Sequence, residues 1–82
     1  MKTRDEVKAE AEEEYFGVFD VFTTEEFEEL MKPSADEEYS DIEFVDSFGY
    51  FHDGEHLTDI RIDPYTFEQY KKDYPYVVWR NA

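Results

Sequence analysis

His52-Asp53-Gly54-Glu55-His56 matches the H-x-x-E-H pattern, in which two histidines hold zinc and a glutamate serves as base. That chemistry needs both imidazoles on one helical face. Here Asp53-Gly54, a strong signal for a type I′ turn, separates them. A two-residue turn would send the two rings to opposite faces of a sheet. The segment therefore reads as an exposed, polar hairpin tip rather than a metal site. The other candidates for chemistry are carboxylates, since Asp and Glu number 23. General acid–base catalysis needs one of them in an apolar pocket, whereas these fall on expected exposed faces and loops. Asp36-Glu37-Glu38 and Asp41 raise the question of calcium. No EF-hand spacing is present, and loosely clustered carboxylates hold divalent ions weakly, so a solvated acidic loop is the preferred reading. With three glycines there is no phosphate loop, and no Ser-His-Asp order stands out. The expectation is a non-enzyme without a cofactor or metal.

The elements that would carry these residues are legible from their caps. Thr3-Arg4-Asp5-Glu6 is a capping box that opens a first helix. Val7, Ala11 and Tyr15 share one face, opposite Asp5, Glu6, Glu10, Glu12 and Glu13. Glu14 would enter the apolar face, so the helix should end there. So thin an apolar face predicts weak docking and a mobile first turn. Phe16 to Phe22 reads as a short strand or buried connector. Thr23-Thr24-Glu25-Glu26 is a second capping box, and Phe22 with Phe27 fits a hydrophobic staple. Phe27, Leu30 and Met31 form the apolar face of this second helix, which Pro33 ends. Pro33 to Glu38 is the best loop candidate. Ile42 to Phe51 and Leu57 to Ile62 read as a hairpin about Asp53-Gly54, which would set Asp46 opposite Arg61. Asp63-Pro64 starts a third helix, with Phe67, Tyr70 and Tyr74 on its apolar face. Tyr76 to Trp79 is a last strand. The fold class is α+β: two acidic helices, a small antiparallel sheet, a third helix and a C-terminal strand.

At 82 residues the chain is a single domain, residues 1–82, without room for a large interdomain cleft. The absence of cysteine excludes a disulfide scaffold and a thiolate zinc site. No apolar run approaches a membrane span, and the first residues lack a signal peptide's apolar stretch, so the cytoplasm is the expected compartment. A net charge of −15 suggests disorder. Eight Phe, seven Tyr and one Trp oppose that reading, because rings in such number require burial. Phe22, Phe27, Phe44, Phe48, Phe51, Phe67, Tyr70 and Trp79 are the candidate core. Tyr39, Tyr50, Tyr65 and Tyr76 are candidates for exposure, suited to a protein contact or a homodimer seam.

The charge is lopsided. Residues 5–46 carry 17 acids and two bases, whereas residues 47–82 are near neutral. Direct nucleic-acid binding is excluded by repulsion between polyanions. Carboxylates three or four apart on a helix instead offer fixed negative points at a density approaching that of DNA phosphates. Such a surface would be steered into a Lys/Arg-lined channel and exclude its substrate.

In size, charge and aromatic content, over the whole chain, this sequence resembles the small acidic inhibitors of phages and mobile elements: DNA-mimicking anti-restriction proteins, anti-CRISPR proteins and uracil-DNA glycosylase inhibitors. The resemblance implies a host-cell target that binds DNA or RNA, such as a nuclease, CRISPR effector or restriction enzyme. It is one of composition and assigns no residue roles. The charge pattern itself nominates Glu10, Glu13, Glu25, Glu28, Glu29, Asp36, Glu37, Glu38, Asp41 and Glu43 as the partner-binding set. An immunity protein or antitoxin that neutralises a basic nuclease toxin is the alternative. An acidic regulatory module and a halophile domain are further readings; the lopsided charge opposes the last.

Overall fold

A computed structural model of the chain describes residues 1–32 and 47–80. The elements are α1 (Arg4–Glu14), β1 (Asp20–Thr23), α2 (Thr24–Met31), β2 (Phe48–His52), β3 (Leu57–Arg61), α3 (Pro64–Tyr70) and β4 (Tyr76–Arg80). The fold is α+β, with one antiparallel sheet of order β1-β4-β2-β3. The last strand in sequence therefore lies inside the sheet. Its run Tyr76-Val77-Val78-Trp79 suits a strand covered on both faces.

The pleat divides the core in two. Phe51, Val77 and Trp79 face α2 and α3, where they meet Phe27, Ile62 and Phe67. Val78 faces α1 and packs with Val7, Ala11 and Phe19. The molecule thus has three layers, with α1 on one side of the sheet and α2 and α3 on the other. Trp79 packs on Phe27 at 5.0 Å between ring centroids, and Phe51 stacks on Tyr74 at 5.1 Å. Gly49 makes this packing possible. It lies opposite Trp79 in the β2–β4 ladder, and a Cβ there would strike the Trp79 ring and the Val78 carbonyl.

All three helices start as their sequences indicate. Thr3 and Thr23 each accept a hydrogen bond from the backbone three residues on, and Glu6 and Glu26 return one. Asp63 caps α3, with Pro64 in the first position. The staple between Phe22 and Phe27 closes at 6.2 Å. Lys32, held extended as a residue before proline must be, caps α2.

Three sequence expectations change. The first turn of α1 is fastened rather than loosely docked. Lys2 N donates to Gly54 O at 2.7 Å, Lys2 Nζ reaches Glu10, and Val7 and Ala11 are fully buried. The hairpin closes through four residues, 53–56, instead of two. The Asp53 carboxylate accepts from Glu55 N and His56 N, which favours the wider turn. As a result His52 pairs with Leu57, and a register shift sets Tyr50, not Asp46, opposite Arg61. Finally, the Phe16–Phe22 segment is strand only from Asp20, while Phe16 and Val18 are exposed and Phe19 is buried. The expected loop from Pro33 to Glu38, the start of the Ile42–Phe51 strand, Tyr39, Phe44 and Asp46 lie outside the described residues.

Candidate partner-binding surface

His52 is the clearest departure from the exposed-tip reading, because its side chain is fully buried. Gly54 N donates to Nδ1 at 2.9 Å, so the ring hydrogen sits on Nε2 and is donated to Glu10 Oε1 at 2.8 Å. Both ring nitrogens are thereby engaged. His56, on the exposed side of the turn, does not join it. Among the described residues no group of three or more His, Asp or Glu side chains is placed to hold a metal ion.

Glu10 is the hub of this network. Its carboxylate also accepts from Lys2 Nζ at 2.8 Å and from Leu57 N at 2.9 Å. Burial pushes its carboxyl up, but the bonds from Lys2, His52 and Leu57 together outweigh burial and hold it at about 2. Glu10 therefore joins α1 to the β2–β3 hairpin. Glu12 plays a similar part at the other side of the helix, accepting from Lys8 Nζ and Phe19 N, while Lys8 Nζ donates to Phe19 O at 2.6 Å. Backbone hydrogen bonding from Phe19 and the Lys8 ammonium lower the Glu12 carboxyl, with Lys8 the larger cause.

Most of the other cations are engaged as well, Lys72 being the exposed exception among the described residues. Arg4 bridges α1 to Glu26 of α2 at 2.8 Å. Lys71 meets Glu28 and Glu68, and Lys32 meets Glu29. Arg61 and Arg80 lie over the Phe48 ring at 5.7 and 5.4 Å. Carboxylates outnumber these partners. Asp5, Glu13, Glu14, Asp20 and Glu25 are exposed and form no ion pair with another described residue.

The nominated acids thus fall into different groups. Glu10 is spent inside the fold, Glu28 and Glu29 are paired at the surface, and Glu13 and Glu25 are open to solvent. Asp36, Glu37, Glu38, Asp41 and Glu43 lie outside the described residues. The helices bearing the described acids cover opposite faces of the sheet, yet both pack over the edge strand β1, and Arg4–Glu26 joins them. Near the start of α2, an open cleft of about 720 Å³ lies between Thr23, Glu25, Glu28, Lys71 and Tyr74.

Among the aromatic residues expected at the surface, Tyr65 is exposed, whereas Tyr50 and Tyr76 are half-buried. Tyr50 stacks on Tyr15 at 4.6 Å. Burial, the hydrogen bond with Tyr50 and the nearby Asp59 and Glu14 carboxylates push the Tyr15 hydroxyl up to about 12. Comparison with protein families, curated proteins and solved structures finds no match to this chain.

The sequence reading missed Phe16 and Val18, which are 93% and 73% exposed. The available signal was Gly17 between them. Its φ of +124° lies in the region that favours glycine, and it breaks the extended run that would have buried its neighbours.

Proposed function

We propose that this protein is an inhibitor that occupies the cationic nucleic-acid-binding groove of a host defence or DNA-processing protein, of the anti-CRISPR or anti-restriction type. The observation that carries this reading is the residue of negative charge left after internal pairing. Arg4 and Lys8 are used within the fold, Arg4 joining α1 to α2 and Lys8 holding α1 to Phe19, while Asp5, Glu13, Asp20 and Glu25 remain exposed without an ion pair to another described residue. A groove built to hold phosphates keeps its lysines and arginines unpaired in the absence of nucleic acid. A rigid anionic surface would be drawn to it at long range and compete with the phosphates for the same side chains.

The test uses the full chain, immobilised and incubated with host lysate at graded salt. The expected retained protein binds nucleic acid, is released by saturating duplex DNA or RNA, and comes off as salt rises. A Glu13→Lys/Glu25→Lys variant should fail to retain it while staying folded, melting no lower than the parent, because neither side chain has an ion-pair partner among the described residues and the change relieves self-repulsion. Equal retention by the charge-reversed variant overturns the proposal, as does a complex that nucleic acid cannot displace. A retained basic nuclease toxin encoded beside this protein would instead establish the immunity reading.

A further inference from the structure

Phe16 and Val18 are exposed in a protein whose other described phenylalanines are buried or half-buried. They project from the connection between α1 and β1, which is fixed at both ends. On one side Tyr15 N closes the last turn of α1 on Ala11 O, and its ring stacks on Tyr50. On the other, Phe19 is fully buried and its backbone is bound by Glu12 and Lys8. Between them Gly17 rests on Arg80, whose guanidinium lies over Phe48. The two apolar side chains therefore stand on a short, supported loop and would lose little conformational freedom on being buried.

We propose that Phe16 and Val18 form an apolar anchor that inserts into an apolar pocket bordered by Lys and Arg side chains on a partner protein. The border follows from charge. Glu13 and Glu14 precede the anchor, Asp20 follows it, and all three are exposed. A pocket that accepts the ring must also meet these carboxylates. An aromatic anchor buried at the centre of a contact with a polar rim around it fits the usual anatomy of a protein interface. A second copy of this chain is disfavoured as the occupant, since it would bring the same carboxylates against them. The identity of the partner as a nucleic-acid-binding protein rests on the function proposed above; the anchor itself does not.

The experiment places a photoreactive benzoylphenylalanine at position 16 of the full chain. The probe is the heparin-retained protein fraction of host lysate. The cross-linked peptide should map to an apolar pocket flanked by Lys or Arg on the partner. With that partner purified, a Phe16→Ser/Val18→Ser variant should bind at least about 30-fold more weakly. Its melting temperature and the salt dependence of its binding should stay unchanged. The Glu13→Lys/Glu25→Lys variant should instead flatten the salt dependence. Binding of the serine variant within about threefold of the parent overturns the anchor, as does cross-linking only to a second copy or to a surface without basic side chains. If the serine variant loses affinity for a partner that does not bind nucleic acid, the anchor stands and the groove-occupying function fails. If it keeps full affinity for a nucleic-acid-binding partner, the reverse holds.

Discussion

Glu10 and His52 are 42 positions apart, yet each supplies what the other needs. A buried imidazole with an unmet N–H is costly, and so is a half-buried carboxylate without donors. Because its carboxyl sits at about 2 in the fold rather than the ordinary 4.5, Glu10 contributes stability that is complete above about pH 4.5 and is lost as pH falls through 2. Its full size is on the order of 3 kcal/mol. A Glu10→Gln variant should therefore unfold more easily at pH 7 in urea, and the gap from the parent should close between about pH 4.5 and 2. A gap that stays constant over that range would show that the Glu10 charge does not matter. Gly49 is the second residue on which the core depends. Gly49→Ala should cost about 3 kcal/mol or more, because the obstructing atoms include the Val78 backbone, which cannot turn aside as a flexible side-chain end can. Calorimetry or denaturant titration would read it.

At the scale of elements, the capping boxes and the hairpin differ in how they were legible. Thr3, Glu6, Thr23 and Glu26 bond within three residues, so local sequence was enough to place both helix starts. Thr3→Ala should destabilise the protein by about 1 kcal/mol and lower helicity at the start of α1. The hairpin was legible as a hairpin but not in register. The Asp53 carboxylate binds two backbone N–H groups and widens the turn, and that choice moves Arg61 from Asp46 to Tyr50. Asp53→Ala should cost about 1 kcal/mol, whereas Asp53→Asn, whose side-chain oxygen still accepts, should cost less. Equal losses from both substitutions would assign the effect to charge rather than to the turn. The sequence reading also placed Phe16 in a strand or buried connector, because apolar composition alone does not reveal that Gly17 turns the chain outward.

For the whole molecule, the charge of −15 opposes folding through self-repulsion. Added salt should therefore raise the urea midpoint from low ionic strength to about 0.5 M, where the Debye length is well under 10 Å. The Glu13→Lys/Glu25→Lys variant, less negative by four charges, should show a smaller rise. A midpoint that falls with salt would mean that surface ion pairs outweigh the repulsion. The acidity of the first half was plain in the sequence. Which carboxylates remain available was not, because the pairing of Glu26 by Arg4, of Glu28 by Lys71 and of Glu10 by His52 depends on how elements meet.

The amino-acid sequence by itself determined the caps, the helix and strand types and their order, the acidity of the first two helices and the lack of any thiol chemistry. These depend on composition and on interactions spanning a few residues. Tertiary structure decided that β4 lies between β1 and β2, that α1 covers one face of the sheet and α2 and α3 the other, and that Glu10 turns inward while Glu13 does not. It also decided that His52 is buried and Phe16 is not. The physical reason is that both carboxylates have the same local chemistry, and that intrinsic polarity would place the two rings the other way round, imidazole in water and phenyl out of it. Only the donors, rings and backbone groups brought beside them by distant parts of the chain distinguish one from the other.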